Sequence, residues 1–440
     1  MSDSASSTAR QISLATAISI VVANMVGTGV FVSLGFQVID LGSGFSIVLL
    51  WAIGGLLSFC GAVCYAELAS NNPRSGGEYH LLGETFHPIL GFLSGWISVT
   101  VGFAAPIAIA SFAFGTYFTG VFDVSWLNET RLAIAIVIVV TLIHLLGISV
   151  ASKFQVVFTV GKVLLILALI GFGFSMASPK GDMSFIPAAA DGKDIMSKSF
   201  AISLYWVMYA YTGWNAAAYI AGEIKNPKRN VPLALLLGTG LVTVLYIALN
   251  SAFLYSTPRE AMMGKPDVAA VAATHIFGEK GGDIMGMLIC FGLISTISAM
   301  IWAGPRVTQV IGEDYRPFRA VSRRTKSGAP VLAILIQSVI VIGLLLSMKF
   351  EDTLYYVQAL LTLSAMLTVL GVFYSRWKKR GAERSYSAFG YPVTPILFGA
   401  VSAWMLYWGI KDKPGPSALG LLTLVIGWVV WFFSQRNQES

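Results

Sequence analysis

Charged residues are scarce in this chain of 440 residues, where Asp, Glu, Lys and Arg together make up only 12%. Soluble globular domains carry about a quarter of such residues. Hydrophobic residues reach 56%, and the mean hydropathy is +0.74. The composition excludes an ordinary soluble fold and indicates an all-α membrane protein. No stretch is long and polar enough for a separate soluble domain, so we expect one transmembrane domain over residues 1–440.

Cysteine is also rare, with three residues, Cys60, Cys64 and Cys290, all inside apolar stretches. No loop therefore contains a disulfide framework or a metal-binding spacing of cysteines. The N-terminus has no signal-peptide cleavage pattern, so we expect the first apolar segment to stay in the mature protein.

Sequence patterns of enzyme active sites are absent as well. The chain contains no His-Glu-x-x-His, Gly-x-Ser-x-Gly or Walker Gly-Lys-Ser/Thr pattern, which argues against a membrane-embedded enzyme or an ATP-driven pump. We expect no cofactor and no bound metal. A channel stays open as a third class at this point.

Apolar segments long enough to cross a bilayer are what the chain does contain. About 20 helical residues span the hydrocarbon core. Twelve segments meet this description: 12–38, 44–69, 88–119, 131–149, 153–176, 199–221, 231–255, 283–309, 330–348, 353–375, 392–410 and 417–434.

The lysines and arginines orient these segments. If the N-terminus is inside, 17 basic residues fall inside, 10 outside, and Lys162 and Arg306 within segments. Because basic loops stay in the cytoplasm, both termini are predicted to be cytoplasmic. This bias also accounts for the net charge of +7, so we expect lipid rather than nucleic acid as the surrounding partner.

Glycines interrupt two of the segments near their middle. Segment one contains Gly27, Thr28 and Gly29, and segment six contains Thr212 followed by Gly213. Glycine tolerates non-helical backbone, which at membrane depth occurs only where it lines a cavity or is buried. Matching breaks predict two repeats of five helices, 12–176 and 199–375, followed by two additional helices at 392–434. In inverted-repeat transporters such breaks form the substrate site, whereas a continuous pore would not need them.

Three motifs resemble the amino acid–polyamine–organocation superfamily. They are the Gly-Thr-Gly-Val-Phe run at 27–31, the stretch 67–79 after segment two, and residues 209–214 leading into 223–232. The resemblance implies a leucine-transporter-type 5+5 inverted repeat with discontinuous helices 1 and 6. The Gly-Trp-Asn in segment six and Lys162 are most similar to L-type amino acid transporters and their bacterial relatives. Animal L-type carriers bind a glycoprotein subunit through a cysteine in the loop between segments three and four. Residues 119–131 contain no cysteine, so we expect a stand-alone carrier in a prokaryotic inner membrane. Its oligomeric state stays open.

The resemblance also implies the substrate-binding residues. The amides of Gly27, Thr28 and Gly29 would hold the carboxylate of an amino acid, and carbonyls of Met25, Tyr209 and Ala210 would accept from its ammonium. Tyr209 would also gate the site. The expected side-chain pocket consists of Thr100, Phe103, Thr212, Asn215 and Ala299.

The substrate class is constrained by a further absence. No acid lies in the middle of segments one, three, six, eight or ten, and an unpaired charge at that depth is costly. Small to medium neutral amino acids are therefore favoured. A cationic amino acid or polyamine antiporter stays as the alternative, with aromatic rings supplying cation–π contacts.

Lys162 is the candidate coupling residue. It lies about 15 Å along segment five at 1.5 Å per residue, where a lysine cannot easily reach the interface. The L-type resemblance implies that its ammonium replaces a sodium ion between segments one and eight, near Ala23, Asn24 and Ser295. Sodium-independent exchange and proton symport, in which the lysine loses its proton in each cycle, both remain open.

Overall fold

The computed structural model describes residues 12–122, 126, 128–175, 180–189, 191–195, 197–265, 267–325, 328–347, 350–378, 380–381 and 383–439. Within these ranges the chain is helical, and the one β contact is an isolated bridge between Ile12 and Ile224. The predicted segment ends at 176 and 348, and the basic residues Arg10, Lys326 and Lys379, lie outside the described residues.

In the described residues up to 175, the chain forms eight α-helices. They are α1 (Leu14–Met25), α2 (Gly29–Asp40), α3 (Gly44–Asn71), α4 (Glu78–Thr85), α5 (Pro88–Ile97), α6 (Ala104–Val121), α7 (Glu129–Leu145) and α8 (Ile148–Phe174). A π-helical turn, Ser98–Gly102, joins α5 to α6.

The second part adds eleven helices. They are α9 (Asp191–Ile195), α10 (Lys198–Tyr211), α11 (Ala216–Tyr219), α12 (Pro227–Ser256), α13 (Arg259–Met262), α14 (Val268–Phe277), α15 (Glu279–Asp314), α16 (Val331–Ser347), α17 (Phe350–Lys378), α18 (Val393–Asp412) and α19 (Pro414–Glu439). Short 3₁₀ turns cover Ala221–Glu223 and Arg316–Ser322.

Nine helical stretches among the described residues are long and apolar enough to cross a membrane. They coincide with predicted segments one, two, three, five, seven, eight, ten, eleven and twelve. Predicted segments four and nine correspond to α7 and α16, each of 17 residues. Predicted segment six corresponds to the broken pair α10 and α11. The chain is a multi-span, all-helical membrane protein.

Both predicted breaks are present. Helix α1 ends at Met25 and α2 begins at Gly29. Helix α10 ends at Tyr211, and α11 begins at Ala216 after Gly213, whose φ of +103° lies in the left-handed region. A side chain is strained at such a φ, so glycine permits the second break.

The two breaks lie against each other in the protein interior. A Cβ on Gly29 would lie 2.4 Å from the Cα of Ala210, and a Cβ on Gly213 would lie 2.7 Å from the carbonyl carbon of Asn24. Side-chain atoms cannot fit at these distances. Helices α12, α8 and α15 pack around α1, so the interrupted segments are surrounded by continuous helices.

Candidate functional site

A cavity lies directly at the two breaks, and we call it the first cavity. Its lining residues come from α1, α2, α6, α10 and α15 and from the unwound segments: Asn24, Met25, Gly27, Thr28, Gly29, Pro106, Tyr209, Ala210, Thr212, Thr296 and Met300. Seven predicted substrate-site residues, 25, 27, 28, 29, 209, 210 and 212, are thus brought together. None of its lining side chains carries a formal charge.

The backbone at the first break presents donors to this cavity. Val26 has φ −75° and ψ 85°, close to the inverse γ-turn, and the N–H of Gly27 accordingly donates to the carbonyl of Met25 at 2.8 Å. The N–H groups of Thr28 and Gly29 have no hydrogen-bond acceptor among the described residues. Since the free N–H groups of a helix N-terminus attract anions, Thr28 and Gly29 supply donors suited to an anionic group, while the Gly27 amide is engaged by its own turn.

One tyrosine hydroxyl lies within hydrogen-bonding distance of two carbonyl oxygens, one from each break. The hydroxyl of Tyr246, in the middle of α12, lies 2.6 Å from the carbonyl oxygen of Met25 and 3.0 Å from that of Ala210. Tyr246 is fully buried. The carbonyls predicted to accept from an ammonium are therefore close together, and a side chain that sequence reasoning missed holds them there.

The side chain of Lys162, in α8, reaches the end of α1. Its side chain is 1% exposed, and its ammonium donates to the carbonyls of Val26 at 2.5 Å and Ala23 at 3.3 Å and to the Thr296 hydroxyl at 2.8 Å. The break leaves these carbonyls without their usual helical partners, so a cation is electrostatically suited to this position.

The face of α15 that contacts these groups differs from the prediction by one residue. Thr296, rather than Ser295, bonds Lys162, whereas Ser295 lies within hydrogen-bonding distance of Gln155 and Thr159 of α8. Likewise Met300, rather than the buried Ala299, lines the first cavity. Successive residues of a helix are rotated by about 100° around its axis. A change of one residue in the facing of α15 therefore replaces Ser295 by Thr296 and Ala299 by Met300 together.

A second cavity adjoins the first and shares Asn24, Pro106, Thr212 and Met300 with it. Predicted residues Phe103 and Asn215 line it. Its other lining residues come from the π-turn, from the unwound segment between α10 and α11, and from α4, α10, α11, α17 and α18: Glu78, Ser98, Gly102, Met208, Gly213, Trp214, Ala216, Tyr219, Gln358, Leu361, Thr362, Ala365, Phe398, Ser402 and Met405.

Thr100 is not among the residues that line either cavity. Its hydroxyl donates to the carbonyl of Trp96 at 2.7 Å. The π-turn, closed by the N–H of Phe103 and the carbonyl of Ser98 at 3.3 Å, inserts an extra residue into the helical register. The turn therefore places Ser98 and Gly102 at the cavity instead of Thr100.

Among the described residues that line the second cavity, Glu78 has the one acidic side chain. Its carboxylate accepts from the hydroxyl of Tyr65 at 2.6 Å, from the Asn215 side-chain amide at 2.8 Å and from the hydroxyl of Tyr219. Burial raises the pKa of this carboxyl, and its effect exceeds the opposing effect of the hydrogen bonds from Tyr219, Tyr65 and Asn215. The reasoning that found no acid in the segments missed Glu78 because it enters the cavity from the short helix α4.

Ion pairs close the end of the bundle that contains α4. Arg306 pairs with Glu223 at 3.3 Å, and Arg376 pairs with Glu67 at 2.5 Å. A third group joins Arg74 to Asp314 at 2.5 Å. Each pair links segments that are distant in sequence, so the pairs hold that end of the bundle together.

Comparisons with known proteins agree with this geometry. The family model described as amino acid permease matches residues 12–438, which confirms the resemblance drawn from the motifs. The b(0,+)-type amino acid transporter 1 of Mus musculus is 26% identical over 435 residues, covering 96% of this chain and 87% of the relative.

Two further relatives have the same degree of similarity. The serine/threonine exchanger SteT of Bacillus subtilis is 26% identical over 437 residues, covering 98% of both chains. The cystine/glutamate transporter of Homo sapiens is 26% identical over 427 residues, covering 95% of this chain and 84% of the relative.

Proposed function

The chain belongs to the amino acid permease family, whose members are transporters rather than enzymes, and from this premise we propose that it exchanges small to medium neutral L-amino acids by alternating access, without sodium. The observation that carries the proposal is the first cavity. Free N–H groups at one break and carbonyls from both breaks belong to residues that line one uncharged pocket. A zwitterion needs this combination of donors and acceptors once water is removed.

We assign the binding roles as follows. The N–H groups of Thr28 and Gly29, with the Thr28 hydroxyl, bind the carboxylate. The carbonyls of Met25 and Ala210, with that of Tyr209, accept from the ammonium, and the ring of Tyr209 closes the pocket. The side chain of the substrate then faces Thr212 and the second cavity.

The proposed architecture has twelve spans, with five-helix inverted repeats at 12–176 and 199–375 and two additional helices at 392–434. Both termini face the cytoplasm of a prokaryotic cell, and the carrier works without a disulfide-linked heavy subunit. The bacterial source of one relative, from Bacillus subtilis, supports the proposed location in a prokaryotic inner membrane. In this orientation the ion pairs of Glu223 and Glu67 form the cytoplasmic gate.

Lys162 supports sodium independence. Its ammonium contacts two carbonyls at the end of α1 and the Thr296 hydroxyl of α15, and these oxygens are the type of ligand that a sodium ion would take there. A fixed positive charge makes a second cation at this position unfavourable. We propose that Lys162 stays charged throughout the cycle. Transport then takes place by exchange rather than by proton symport.

Counter-flow in proteoliposomes tests the proposal. Vesicles containing the full chain are loaded with unlabelled L-alanine or L-serine, and uptake of labelled substrate is measured in sodium-free buffer. We expect uptake that exceeds uptake into unloaded vesicles and is unchanged by added sodium. Uptake independent of internal substrate but driven by an inward proton gradient would replace exchange by proton symport, and an absolute sodium requirement would refute the lysine assignment.

A further inference from the structure

A polar cavity lies at the end of the bundle that the ion pairs close, and we call it the third cavity. Its volume is about 260 Å³, and its walls come from α3, α4, α12, α17 and the segment 383–385. It shares no lining residue with the first or the second cavity. The third cavity is therefore separate from the proposed amino-acid site, and in the proposed orientation it lies on the cytoplasmic side.

Three cationic side chains from different segments line the third cavity. Lys228 lies in the first turn of α12, Lys378 ends α17, and Arg384 follows in the next loop. Glu84 and Glu383 also line the cavity, but within the described ranges neither lysine has a carboxylate oxygen within 4.0 Å. The positive end of the α12 dipole adds to the charge of Lys228. The cations therefore outnumber the acids, and two of them are free to bind an anion.

A buried imidazole lines the same cavity with an unused polar atom. His80 of α4 is 5% exposed, and its Nε2 has no hydrogen-bond partner among the residues that the structure describes. A buried polar atom without a partner is costly, so this ring is suited to a ligand that enters the cavity. The side chains of Ser375 and Ser385 add hydroxyl donors. Ammonium, guanidinium and hydroxyl donors in one cavity are the set that binds phosphate oxygens.

The neighbouring surface indicates that the third cavity lies at the level of the lipid headgroups. Trp377, next to Lys378, is 62% exposed, and Phe389, four residues after Ser385, is 78% exposed. Exposed aromatic rings at the end of an apolar span are typical of the membrane interface. Basic pockets between spans on the cytoplasmic side bind lipid phosphate groups. A phosphate group can therefore reach this cavity from the membrane as well as from the solution.

We propose that the third cavity binds a phosphate group, from an anionic phospholipid or from a soluble phosphate, through Lys228, Lys378 and Arg384. The inference rests on the proposed orientation but not on the proposed exchange activity. Arg384 also lies 3.5 Å from Glu67, whose ion pair with Arg376 closes this end of the bundle. A phosphate held by both lysines links α12 to α17 beside that ion pair. The bound phosphate therefore stabilises the closed arrangement of the cytoplasmic end.

Thermal unfolding of the full chain in detergent tests for the site and for the source of the phosphate. The midpoint is measured with added phosphatidylglycerol, with phosphatidylcholine, and with inorganic phosphate against chloride at matched ionic strength. Because a ligand of the folded state raises the midpoint, we expect a rise with phosphatidylglycerol and none with phosphatidylcholine, whose choline group offsets the phosphate charge. A rise with inorganic phosphate identifies the soluble ion as a ligand, and a rise with phosphatidylglycerol alone identifies the lipid. Equal rises with both lipids, or no rise with any of the three, overturn the proposal.

Removal of two cations locates the effect. In the double variant Lys228→Gln with Lys378→Gln, the phosphatidylglycerol or phosphate concentration that gives half of the maximal rise should increase about 30-fold, since each lysine near an anionic surface contributes roughly a factor of five. Arg316→Gln with Arg319→Gln removes two exposed cations elsewhere at the same end and should keep that concentration. No change in the lysine variant, or an equal increase in the arginine control, overturns the proposal.

Lys378→Gln alone covers the case in which the double variant does not accumulate. Its side chain is exposed at the end of α17, so the helix should form as before, and the half-maximal concentration should rise about fivefold. A concentration that does not change overturns the proposal. Counter-flow of labelled alanine, measured in parallel, keeps the two proposals apart, because its failure refutes the exchange function and leaves the phosphate result as it is.

Discussion

Replacing Lys162 by methionine tests the central electrostatic element of the carrier. Methionine keeps a long apolar stem but removes the ammonium that contacts Val26, Ala23 and Thr296. The helix α8 itself should form normally, since methionine is a good helix former. We therefore expect a folded protein whose transport is strongly impaired.

The size of the effect follows from the hydrogen bonds that are lost. The carbonyl of Val26 keeps a partner, because the Thr296 hydroxyl also lies 2.8 Å from it. The carbonyl of Ala23 loses the lysine, and the N–H of Gly27, four residues on, donates to Met25 instead. One uncompensated charge-assisted bond corresponds to about 1.5–3 kcal/mol. If this energy distinguishes the conformations of the cycle, turnover falls about 10- to 150-fold.

The assay is counter-flow of labelled alanine by matched amounts of protein, with folding followed by size-exclusion chromatography and thermal unfolding in detergent. Lys153→Met is the matched control, because Lys153 lies on the same helix with an exposed side chain and should leave counter-flow unchanged. Exchange at the normal rate by Lys162→Met would refute the reasoning. Equal losses of exchange and of folded protein would make the lysine merely structural.

Three further substitutions address the breaks and the gate. Gly29→Ala should abolish exchange, because its Cβ would lie 2.4 Å from the Cα of Ala210 and separate the half-helices, as counter-flow will measure. Tyr246→Phe removes the hydroxyl that the Met25 and Ala210 carbonyls share, although Met25 keeps the Gly27 N–H, and it should lower stability by about 1–3 kcal/mol, measured as a lower thermal midpoint. Arg306→Gln leaves the buried Glu223 without its nearest cation and should destabilise the fold by about 3–5 kcal/mol. The yield of folded protein should therefore fall. The double variant Arg306→Gln with Glu223→Gln should recover part of that yield.

Matched controls separate these effects from general damage. Gly42→Ala meets no atom within 4 Å and should exchange normally. Tyr255→Phe lies on α12 like Tyr246 and should keep the thermal midpoint. Arg316→Gln changes an exposed arginine and should keep the yield. Normal behaviour of a test variant, or equal loss in its control, would contradict the corresponding prediction.

The helices could be predicted because the signal for them is local. Length and apolarity of a segment decide whether it forms a long membrane helix, and nine predicted segments coincide with such helices among the described residues. The breaks were also legible, since Gly213 adopts a φ that disfavours other residues and Gly29 lies against Ala210. A glycine in the middle of an apolar helix therefore indicates from the sequence alone that the backbone has a positive φ or lies close to another segment.

The face of α15 that lines the cavity could not be predicted from the sequence in the same way. Ser295, Thr296, Ala299 and Met300 are all buried, because this helix is surrounded by other helices over most of its length. A small or polar residue therefore occurs on every face, and periodicity does not indicate which face meets the cavity. The π-turn before α6 has no composition signal either, so the family resemblance that suggested Thr100 could not take this turn into account.

The two most consequential additions, Glu78 and Tyr246, required tertiary structure. Glu78 follows segment two by several residues, where the sequence indicates only a loop, although the preceding Gly76-Gly77 pair marks a sharp turn. Tyr246 lies within an apolar run in which a tyrosine is usually a core residue. Only the packing of α12 on α1 and α3 shows that its hydroxyl reaches both breaks.

Tyr246 also explains how a substrate ammonium would strengthen the contact between the broken helices. A phenol has one hydrogen, so it can donate to the carbonyl of Met25 or to that of Ala210 but not fully to both at once. An α-ammonium has three hydrogens and a full charge, and its bonds to carbonyls are stronger than those of a neutral hydroxyl. Because Met25 belongs to the first break and Ala210 to the second, added donors between them draw the two breaks together. A neutral amine or an N-acetylated amino acid has fewer N–H donors and no positive charge, so it should occupy the cavity with less stabilisation of the closed arrangement that the proposed alternating access requires.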